Sequence, residues 1–413
     1  MQLVEQHCIG KGDVRFEVID RVAFASKNLY NAALYEVRQA FIHTGVYLRY
    51  EEMYHRMKSH EAYKALPAKV AQHVLKLLDK NWKGYFEAVK TWKSDPSKFL
   101  GHPKLPKYKD KQKGRNILVF TIQAVSRKGL SKGIVQPSGV PIEIQTTHTN
   151  VNQVRIVPRS NCYVVEVVYT QEVKQANVDA TLVASLDLGI NNLVALTSNT
   201  VGFVPRLVNG RPIKSVNQFY NKRKAELQTL IAPDTHFTHR MERMTIKRTR
   251  RIDHYLHTTS RRIIDLLVEQ RIGTLVIGKN PLWKQEANMG KRNNQNFVQI
   301  PHARFIAMLT YKAELVGIQV VVGEESYTSK ASFLDYDPIP TYGKVKQEPV
   351  FSGKRVKRGL YKAANGRKIN ADVNGAYNIL RKVAPDALRG KGVEDCVVNP
   401  VRLHVQSSKS RIR

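Results

Sequence analysis

The sequence predicts a multidomain α+β protein in which a strand-rich first half is followed by an α/β domain. Between residues 116 and 170, four segments alternate apolar and polar residues and are separated by Gly/Pro turns, which is typical of a small β-barrel. From about residue 180 the order becomes hairpin, helices, strand, helix, strand, helix, which predicts a mixed sheet covered by helices. The 413 residues are enough for two or three domains.

Two amphipathic helices are predicted before the strand-rich region. The segment "FASKNLYNAALYEVRQAFIHTG" places Leu34, Val37 and Phe41 on one helical stripe, with Ser26 as the expected N-cap. A second apolar stripe follows Pro67, a residue that suits a first helical turn. We therefore expect the two helices to pack together.

The charge of the chain points to a polyanionic partner. It has 67 Lys and Arg against 34 Asp and Glu, which gives a net charge of +33 and a pI near 10.0. Basic residues are dense in "KLPKYKDKQKGR", "RMTIKRTRR" and "GKRVKRGLYK", so a nucleic acid could contact several surfaces. The alternative is a ribosome-like structural binder, or a solvated basic face without a ligand.

The cysteines and the apolar runs favour a reducing, aqueous compartment. Cys8, Cys162 and Cys396 are far apart, so they indicate neither a disulfide framework nor a thiolate metal site. The N-terminus lacks a signal-peptide pattern, and no apolar run reaches the roughly 18 residues that a membrane span needs. We expect a soluble cytoplasmic protein.

Two acidic residues stand at positions where burial is expected. Asp187 interrupts the apolar stretch "TLVASLDLGINNLVALTSNT", and Asp372 opens a helix in "INADVNGAYNILRK". Each could simply cap a turn or a helix. Together, on an α/β domain of a very basic protein, they also fit carboxylates that hold two magnesium ions for in-line phosphodiester hydrolysis, because magnesium prefers oxygen ligands.

Four motifs carry a resemblance to a known family. "SLDLGINNLVAL", "TLVIGKN", "ESYTSKASFLD" and "ADVNGAYNILRK" resemble, in this order, the split motifs of TnpB, the RNA-guided DNA endonuclease of bacterial insertion sequences, which is related to type V CRISPR effectors. The resemblance spans nearly the whole chain. It implies an RNase H-like (RuvC) nuclease domain with Asp187 and Asp372 as its first and third acids, preceded by a wedge-like β-barrel with an inserted helical recognition lobe.

The resemblance also implies domain boundaries. The expected divisions are a wedge-like β-barrel at 1–25 and 96–180, a recognition lobe at 26–95, a RuvC-like domain at 181–330 and 369–385, a degenerate zinc-ribbon insert at 331–368, and a flexible basic tail at 386–413. The loop at 331–368 is also expected to be flexible.

The sequence departs from the family pattern at two places. The strand "TLVIGKN" usually ends in Glu, whereas this chain has Gly278 there. The family usually carries two Cys-x-x-Cys pairs after "YTSK", whereas Ser332 and Asp335 stand where the first pair would fall. We therefore predict no zinc.

A replacement for the missing middle acid is available at the end of the next strand. "VVVGEESYTSK" offers Glu324 and Glu325, and a carboxylate there could reach the same crevice. The alternation of a buried parallel strand does not tell which one faces inward. Glu324 is preferred, Glu325 is close behind, and Glu286 is a distant third. If neither faces the crevice, the protein is a nuclease-dead, RNA-guided binder.

Other side chains are candidates for nucleic-acid contact. Asn374 and Asn378, four residues apart on one helix, could steady a metal-bound water or simply pack. The candidates for binding phosphates or stacking on bases are Lys104, Lys107, Lys109, Arg248, Arg251, Arg261, Arg262, Trp283, Arg292, Asn293 and Lys330.

The expected function is an RNA-guided, Mg²⁺-dependent DNA endonuclease that uses two magnesium ions, with Asp187, Asp372 and either Glu324 or Glu325 as ligands. Its partners would be a structured guide RNA and a target DNA with a short adjacent motif. We expect a monomer or weak dimer on one RNA, in a bacterial, nucleoid-associated setting. The alternatives are a guided repressor without cleavage, an RNA-independent transposase and an RNA chaperone.

Overall fold

The computed structural model describes residues 1–232, 238–280, 290–343, 347–388 and 399–405. The chain divides into two compact units, Met1–Gln171 and Glu172–Arg413. The dividing point lies nine residues before the expected boundary at 180/181. Within the described ranges, no helix combines the length and the hydropathy needed to cross a bilayer.

The first unit contains a four-stranded antiparallel sheet and a group of helices. Its strands have the order β1-β6-β5-β2, and β3 pairs with β4 in a separate two-stranded sheet. The elements are β1 (Gln2–Gly10), α1 (Phe16–Thr44), α2 (Tyr50–Met57), α3 (Glu61–Lys64), α4 (Ala68–Ser94), β2 (Leu118–Thr121), α5 (Arg127–Leu130), β3 (Ile134–Val135), β4 (Ile144–Gln145), β5 (Val151–Arg159) and β6 (Cys162–Thr170).

The two predicted helices correspond to α1 and α4, and they pack together as expected. Phe41 of α1 meets Trp82 of α4 edge-on, with ring centroids 5.3 Å apart. The prediction that Ser26 caps α1 is wrong, because α1 begins at Phe16, ten residues before Ser26. Just before the helix, the Asp13 carboxylate accepts a hydrogen bond from the backbone N–H of Arg15, and the Asp13 backbone carbonyl accepts one from the backbone N–H of Phe16.

The second unit is built on a six-stranded mixed sheet. The strand order is β11-β10-β7-β8-β9-β15, with β11, β10 and β7 mutually parallel and β8 antiparallel to both of its neighbours. The elements are β7 (Asp179–Leu188), β8 (Asn192–Ser198), β9 (Arg206–Asn209), α6 (Arg211–Gln228), α7 (His239–Glu269), β10 (Ile272–Gly278), α8 (Lys291–Val298), α9 (His302–Glu314), β11 (Gln319–Gly323), β12 (Lys354–Lys357), β13 (Leu360–Lys362), β14 (Lys368–Asn370), α10 (Ala371–Val383) and β15 (Val401–Arg402).

The two faces of this sheet are covered by different helices. Leu186 and Leu188 of β7 belong to one apolar core with residues of α7 and α9. Val183 belongs to the core on the opposite face, which the apolar residues of α10 complete. Because side chains alternate along a strand, Asp187 points to the same face as Val183 and lies under α10. Burying both faces of β7 therefore fixes the side on which Asp187 stands.

Three segments differ from the sequence-based expectations. "IVQPSGVPIEIQ" forms strands only at its two ends, since Pro137 and Pro141 lack the N–H that a ladder needs. The region 331–368, expected to be flexible, contains β12 and β13, which form a three-stranded sheet with β14. In the expected flexible tail, Val401 and Arg402 add β15 to the sheet edge, while residues 389–398 and 406–413 lie outside the described residues.

Candidate active site

The register of the parallel strands brings three backbone positions to one level. Ile277 of β10 pairs with Leu186 of β7 and with Val322 of β11, so Asp187, Gly278 and Gly323 lie side by side across the sheet. These are the carboxyl ends of three parallel strands. In open α/β sheets, ligands bind outside such ends.

Asp187 lies in a crowded environment close to other acidic side chains. α10 passes so close that a Cβ added at Gly375 would lie 2.9 Å from Asp187 Oδ2. Burial, and then the charges of Glu325 and Asp372, raise the pKa of Asp187 well above its usual range, while Arg355 opposes them. The acids are thus close enough to disfavour one another's ionisation, a cost that a bound cation would remove.

Glu325, and not Glu324, is the glutamate beside Asp187. Burial and the charge of Glu324 raise the pKa of Glu325 to about 7. Burial alone would raise the pKa of Glu324, but its bonds to Lys382 and Ser326 outweigh burial and lower it. Glu324 pairs with Lys382 of α10 and accepts from the Ser326 N–H at 2.6 Å. The preference for Glu324 is therefore corrected, because its carboxylate is held by Lys382.

Gly278 makes room for this arrangement. A Cβ added at Gly278 would lie 2.6 Å from Glu325 Oε2 and 2.5 Å from Ile379 Cδ1, so the Glu325 carboxylate occupies the space of a side chain at residue 278. The Glu325 backbone is fixed there, since its N–H donates to Asn280 Oδ1 at 3.0 Å. The position that usually holds the middle acid is thus filled by an acid that reaches it from the neighbouring strand.

Asp372 stands in the first turn of α10. The Asn370 side chain caps this helix by accepting from the backbone N–H groups of Asp372 and Val373. The Asp372 carboxylate accepts from Asn192 at 2.7 Å through Oδ2 and pairs with Arg355 at 3.4 Å through Oδ1. The third acid is therefore steadied by Asn192, the first residue of β8, and by Arg355 of β12.

A basic cleft of about 470 Å³ opens beside Asp372. Its rim carries four arginines, Arg211, Arg355, Arg358 and Arg402. We call it the arginine cleft. Arginine is well suited to phosphate groups. A cluster of acids next to a cationic cleft suits a substrate that brings phosphates to bound metal ions.

The donor set fits magnesium. Asp187, Glu325 and Asp372 offer only carboxylate oxygens, the ligands that this ion prefers. Within the described residues, no three His, Cys, Asp or Glu side chains already converge on a single ligand point. Asp372 is turned towards Arg355 and Asn192. Binding would therefore require these carboxylates to close around the cation.

The two asparagines on α10 have a structural role. Asn374 accepts from the Phe333 N–H at 2.9 Å and donates to the Ala331 carbonyl at 2.8 Å. Asn378 donates to the carbonyls of Thr328 and Ala331. Both are fully buried, so they tie the segment after Glu325 to α10.

The segment expected to be a degenerate zinc ribbon is held by carboxylate hydrogen bonds. Asp337 is 4% exposed and accepts from the backbone N–H groups of Ser332 and Ser352 and from the Ser352 hydroxyl. Asp335 accepts from the Ser332 hydroxyl and from the Ala364 N–H. One buried and one partly exposed carboxylate thus cross-link this segment.

The basic loop before β2 is fastened along α1. Lys27 Nζ donates to the Lys111 carbonyl at 2.7 Å, and Asn31 exchanges two hydrogen bonds with the backbone of Lys109. Lys104 and Lys107 are exposed. The ammonium of Lys109 lies over the Tyr30 ring. The loop is therefore a fixed cationic surface.

The remaining nucleic-acid candidates are dispersed. Arg261 pairs with Asp265 at 2.9 Å, Arg262 is exposed, and Lys330 pairs with Glu348 at 3.3 Å. Arg248 and Arg251 lie together on α7. Asn293 lies on α8, Arg292 is on the same helix, and Trp283 and Glu286 lie outside the described residues.

Sequence reasoning missed several residues of the site. Asn192, Asn280 and Arg355 contact the acids through side chains whose role depends on tertiary folding. The only signals were the Asn-rich turn after Asp187 and the basic stretch "GKRVKRGLYK". Neither identifies which residue makes the contact.

Comparison with known proteins agrees with the four motifs. A family model for OrfB of IS605, described as a probable transposase, matches residues 166–283, and a model for the Cas12f1-like TNB domain matches residues 302–379. The TnpB-like protein ORF457 of Acidianus two-tailed virus is 24% identical over 410 residues, which cover 88% of this chain and 82% of the viral protein. The chain is therefore similar in sequence to a TnpB-like protein over most of its length.

A solved structure supports the fold of this chain. The cryo-EM structure of the Cas12f1-sgRNA-target DNA complex superposes with a TM-score of 0.51 at 13% identity, covering 88% of this chain and 82% of that one. The α+β architecture is therefore a TnpB/Cas12-like fold.

The cross-links made by Asp337 predict a localised loss of structure on substitution. Asp337→Ala leaves the N–H groups of Ser332 and Ser352 without their acceptor, which should destabilise this segment by about 2 kcal/mol or more. Hydrogen–deuterium exchange should quicken in peptides around residues 332 and 352. Glu348→Ala, which removes an exposed ion pair, is the control and should change little. Unchanged exchange in Asp337→Ala would show that these bonds do not hold the segment.

Proposed function

We propose that this protein, which is similar to TnpB, is an RNA-guided, magnesium-dependent DNA endonuclease. The observation that carries the proposal is the gathering of Asp187, Glu325 and Asp372 at the carboxyl ends of parallel strands, next to the arginine cleft. Restoration of a third acid by Glu325 favours cleavage over guided binding alone. The positive charge of +33 suits long nucleic-acid partners.

The metal ions, when bound, would activate a water molecule and stabilise the leaving oxygen of a phosphodiester. Asp187 would hold them from the central strand, Glu325 from the end of β11, and Asp372 from the start of α10. Arg355 pairs with Asp372. Once the Asp372 carboxylate rotates towards a bound metal ion, Arg355 would be free to donate a hydrogen bond to a phosphate oxygen. Asn192 would keep Asp372 oriented during that exchange.

The other parts of the chain would hold the nucleic acids. We assign a wedge-like β-barrel to 1–25 and 96–180, a recognition lobe to 26–95, a RuvC-like domain to 181–330 and 369–385, and a zinc-free ribbon to 331–368. The fixed loop that bears Lys104 and Lys107 would contact a phosphate backbone. The Cas12f1 structure was solved with sgRNA and target DNA, which supports RNA and DNA as the partners here. The guide would be recognised through its shape and backbone.

Cleavage of a plasmid library tests this proposal. The protein, purified with its co-expressed RNA, is incubated with plasmids that carry randomised bases beside a target matching that RNA. Cuts should require magnesium, disappear after RNase treatment and enrich one adjacent motif. Cuts that survive RNase would identify an RNA-independent transposase. Motif-dependent binding without cuts would identify a guided repressor.

A matched pair of glutamate variants tests the assignment of the third acid. Glu325→Gln removes a charge next to Asp187 and should lower the cleavage rate by at least about 100-fold, since metal ligands supply several kcal/mol to such reactions. Glu324→Gln retains a hydrogen-bonding side chain opposite Lys382 and should keep the rate within about threefold. The rates are measured in single-turnover assays with equal guide occupancy. A larger loss in Glu324→Gln would reverse the assignment.

A further inference from the structure

A second cleft lies between α6 and α7, away from the acids. We call it the helix-pair cleft; its volume is about 530 Å³. It is lined by Ser215, Val216, Phe219, Tyr220 and Arg223 from α6 and by Arg240, Met244, Lys247, Arg248 and Arg251 from α7. Five of these ten described residues are basic and none is acidic. Such a surface repels basic and attracts polyanionic partners.

Two aromatic side chains stand in this cationic setting. Phe219 is 68% exposed, which is unusual for a large apolar ring on a helix surface. Tyr220 is held against α7, since its hydroxyl lies 2.9 Å from Thr245 Oγ1 and its ring lies under the Arg248 guanidinium. Exposed rings next to arginines are the arrangement on which proteins stack unpaired bases.

Arg248 is positioned before any ligand arrives. Its Nε donates to Oδ1 of the buried Asn217 at 2.7 Å, and its guanidinium rests on the Tyr220 ring. The described residues that line the cleft include no carboxylate. A half-buried cation held in this way loses little conformational entropy on binding a phosphate.

One face of α6 connects the two clefts. Arg211, in the first turn of α6, lines the arginine cleft beside Asp372. Ser215, Phe219 and Arg223 follow at intervals of four residues and line the helix-pair cleft. The rise along a helix places Phe219 about 12 Å from Arg211. That distance corresponds to roughly four nucleotides of a stacked strand, at about 3.4 Å each, or fewer if the strand is stretched.

We propose that the helix-pair cleft binds the single-stranded DNA that enters the nuclease site, with Phe219 stacking on one base a few nucleotides from the scissile phosphate. Arg248 and Arg251 would contact the phosphates on either side of that base. DNA is favoured over RNA because this face of α6 begins at the rim of the arginine cleft. A nucleic-acid strand bound along it would be the one delivered to the acids. This inference rests on the proposed nuclease function.

Photocrosslinking tests the position of the strand. The full chain carrying Asp187→Asn is mixed with thymidine oligonucleotides of 20 residues, each with a single 5-iododeoxyuridine, and a parallel series uses uridine oligonucleotides with 5-iodouridine. After irradiation, the attached peptides are identified by mass spectrometry. The DNA series should label Phe219 or Tyr220. Labelling from the RNA series alone, or at other peptides only, would overturn the proposal.

Binding affinities test the stacking itself. Phe219→Ala should weaken binding of the labelled thymidine oligonucleotide by about fivefold or more, whereas Phe219→Trp should retain it. Gln218→Ala, an exposed neighbour outside the cleft lining, is the control and should stay within twofold. Equal affinity of Phe219→Ala and the parent would overturn the proposal. Neither measurement requires cleavage, so a failure of the nuclease function and a failure of this inference give different results.

Discussion

The arrangement of the acids depends on one steric fit: the Glu325 carboxylate occupies the space that a side chain at residue 278 would need. Three parallel strands end at one level, and their central position bears no side chain. Glu325 fills that position from the next strand, beside Asp187. An acid at residue 278 would collide with it, so glycine there is a requirement of this arrangement. The absence of the usual middle acid therefore does not imply an inactive site.

α10 connects the site to the rest of the second unit. It carries Asp372 at its start, faces Asp187 through Gly375, and pairs Lys382 with Glu324, which leaves Glu325 as the inward acid. Its buried asparagines hold the segment that follows Glu325. One helix therefore carries Asp372, packs over Asp187 and holds the segment that follows Glu325.

Periodicity in the sequence predicted the mixed sheet, the β7–β8 hairpin and the helix that begins near Asp372, because burial of both sheet faces leaves long apolar patterns. It did not tell Glu324 from Glu325, since that choice depends on Lys382, which is 58 residues away from Glu324 in the sequence. The start of α1 was missed because Ser26 suits a cap locally, while a tertiary contact with Ile117 explains its presence. The cross-links of Asp337 were also missed, since carboxylate-to-backbone bonds have no fixed sequence spacing.

Manganese binding followed by electron paramagnetic resonance shows which acids hold a cation, because Mn²⁺ takes the oxygen ligands that magnesium takes and needs neither guide nor target. We expect the parent chain and Glu324→Gln to bind Mn²⁺ with similar affinity, and Glu325→Gln to bind it at least about tenfold more weakly. Equal binding by the parent and Glu325→Gln, or a selective loss in Glu324→Gln, would contradict the claim that Glu325 completes the site.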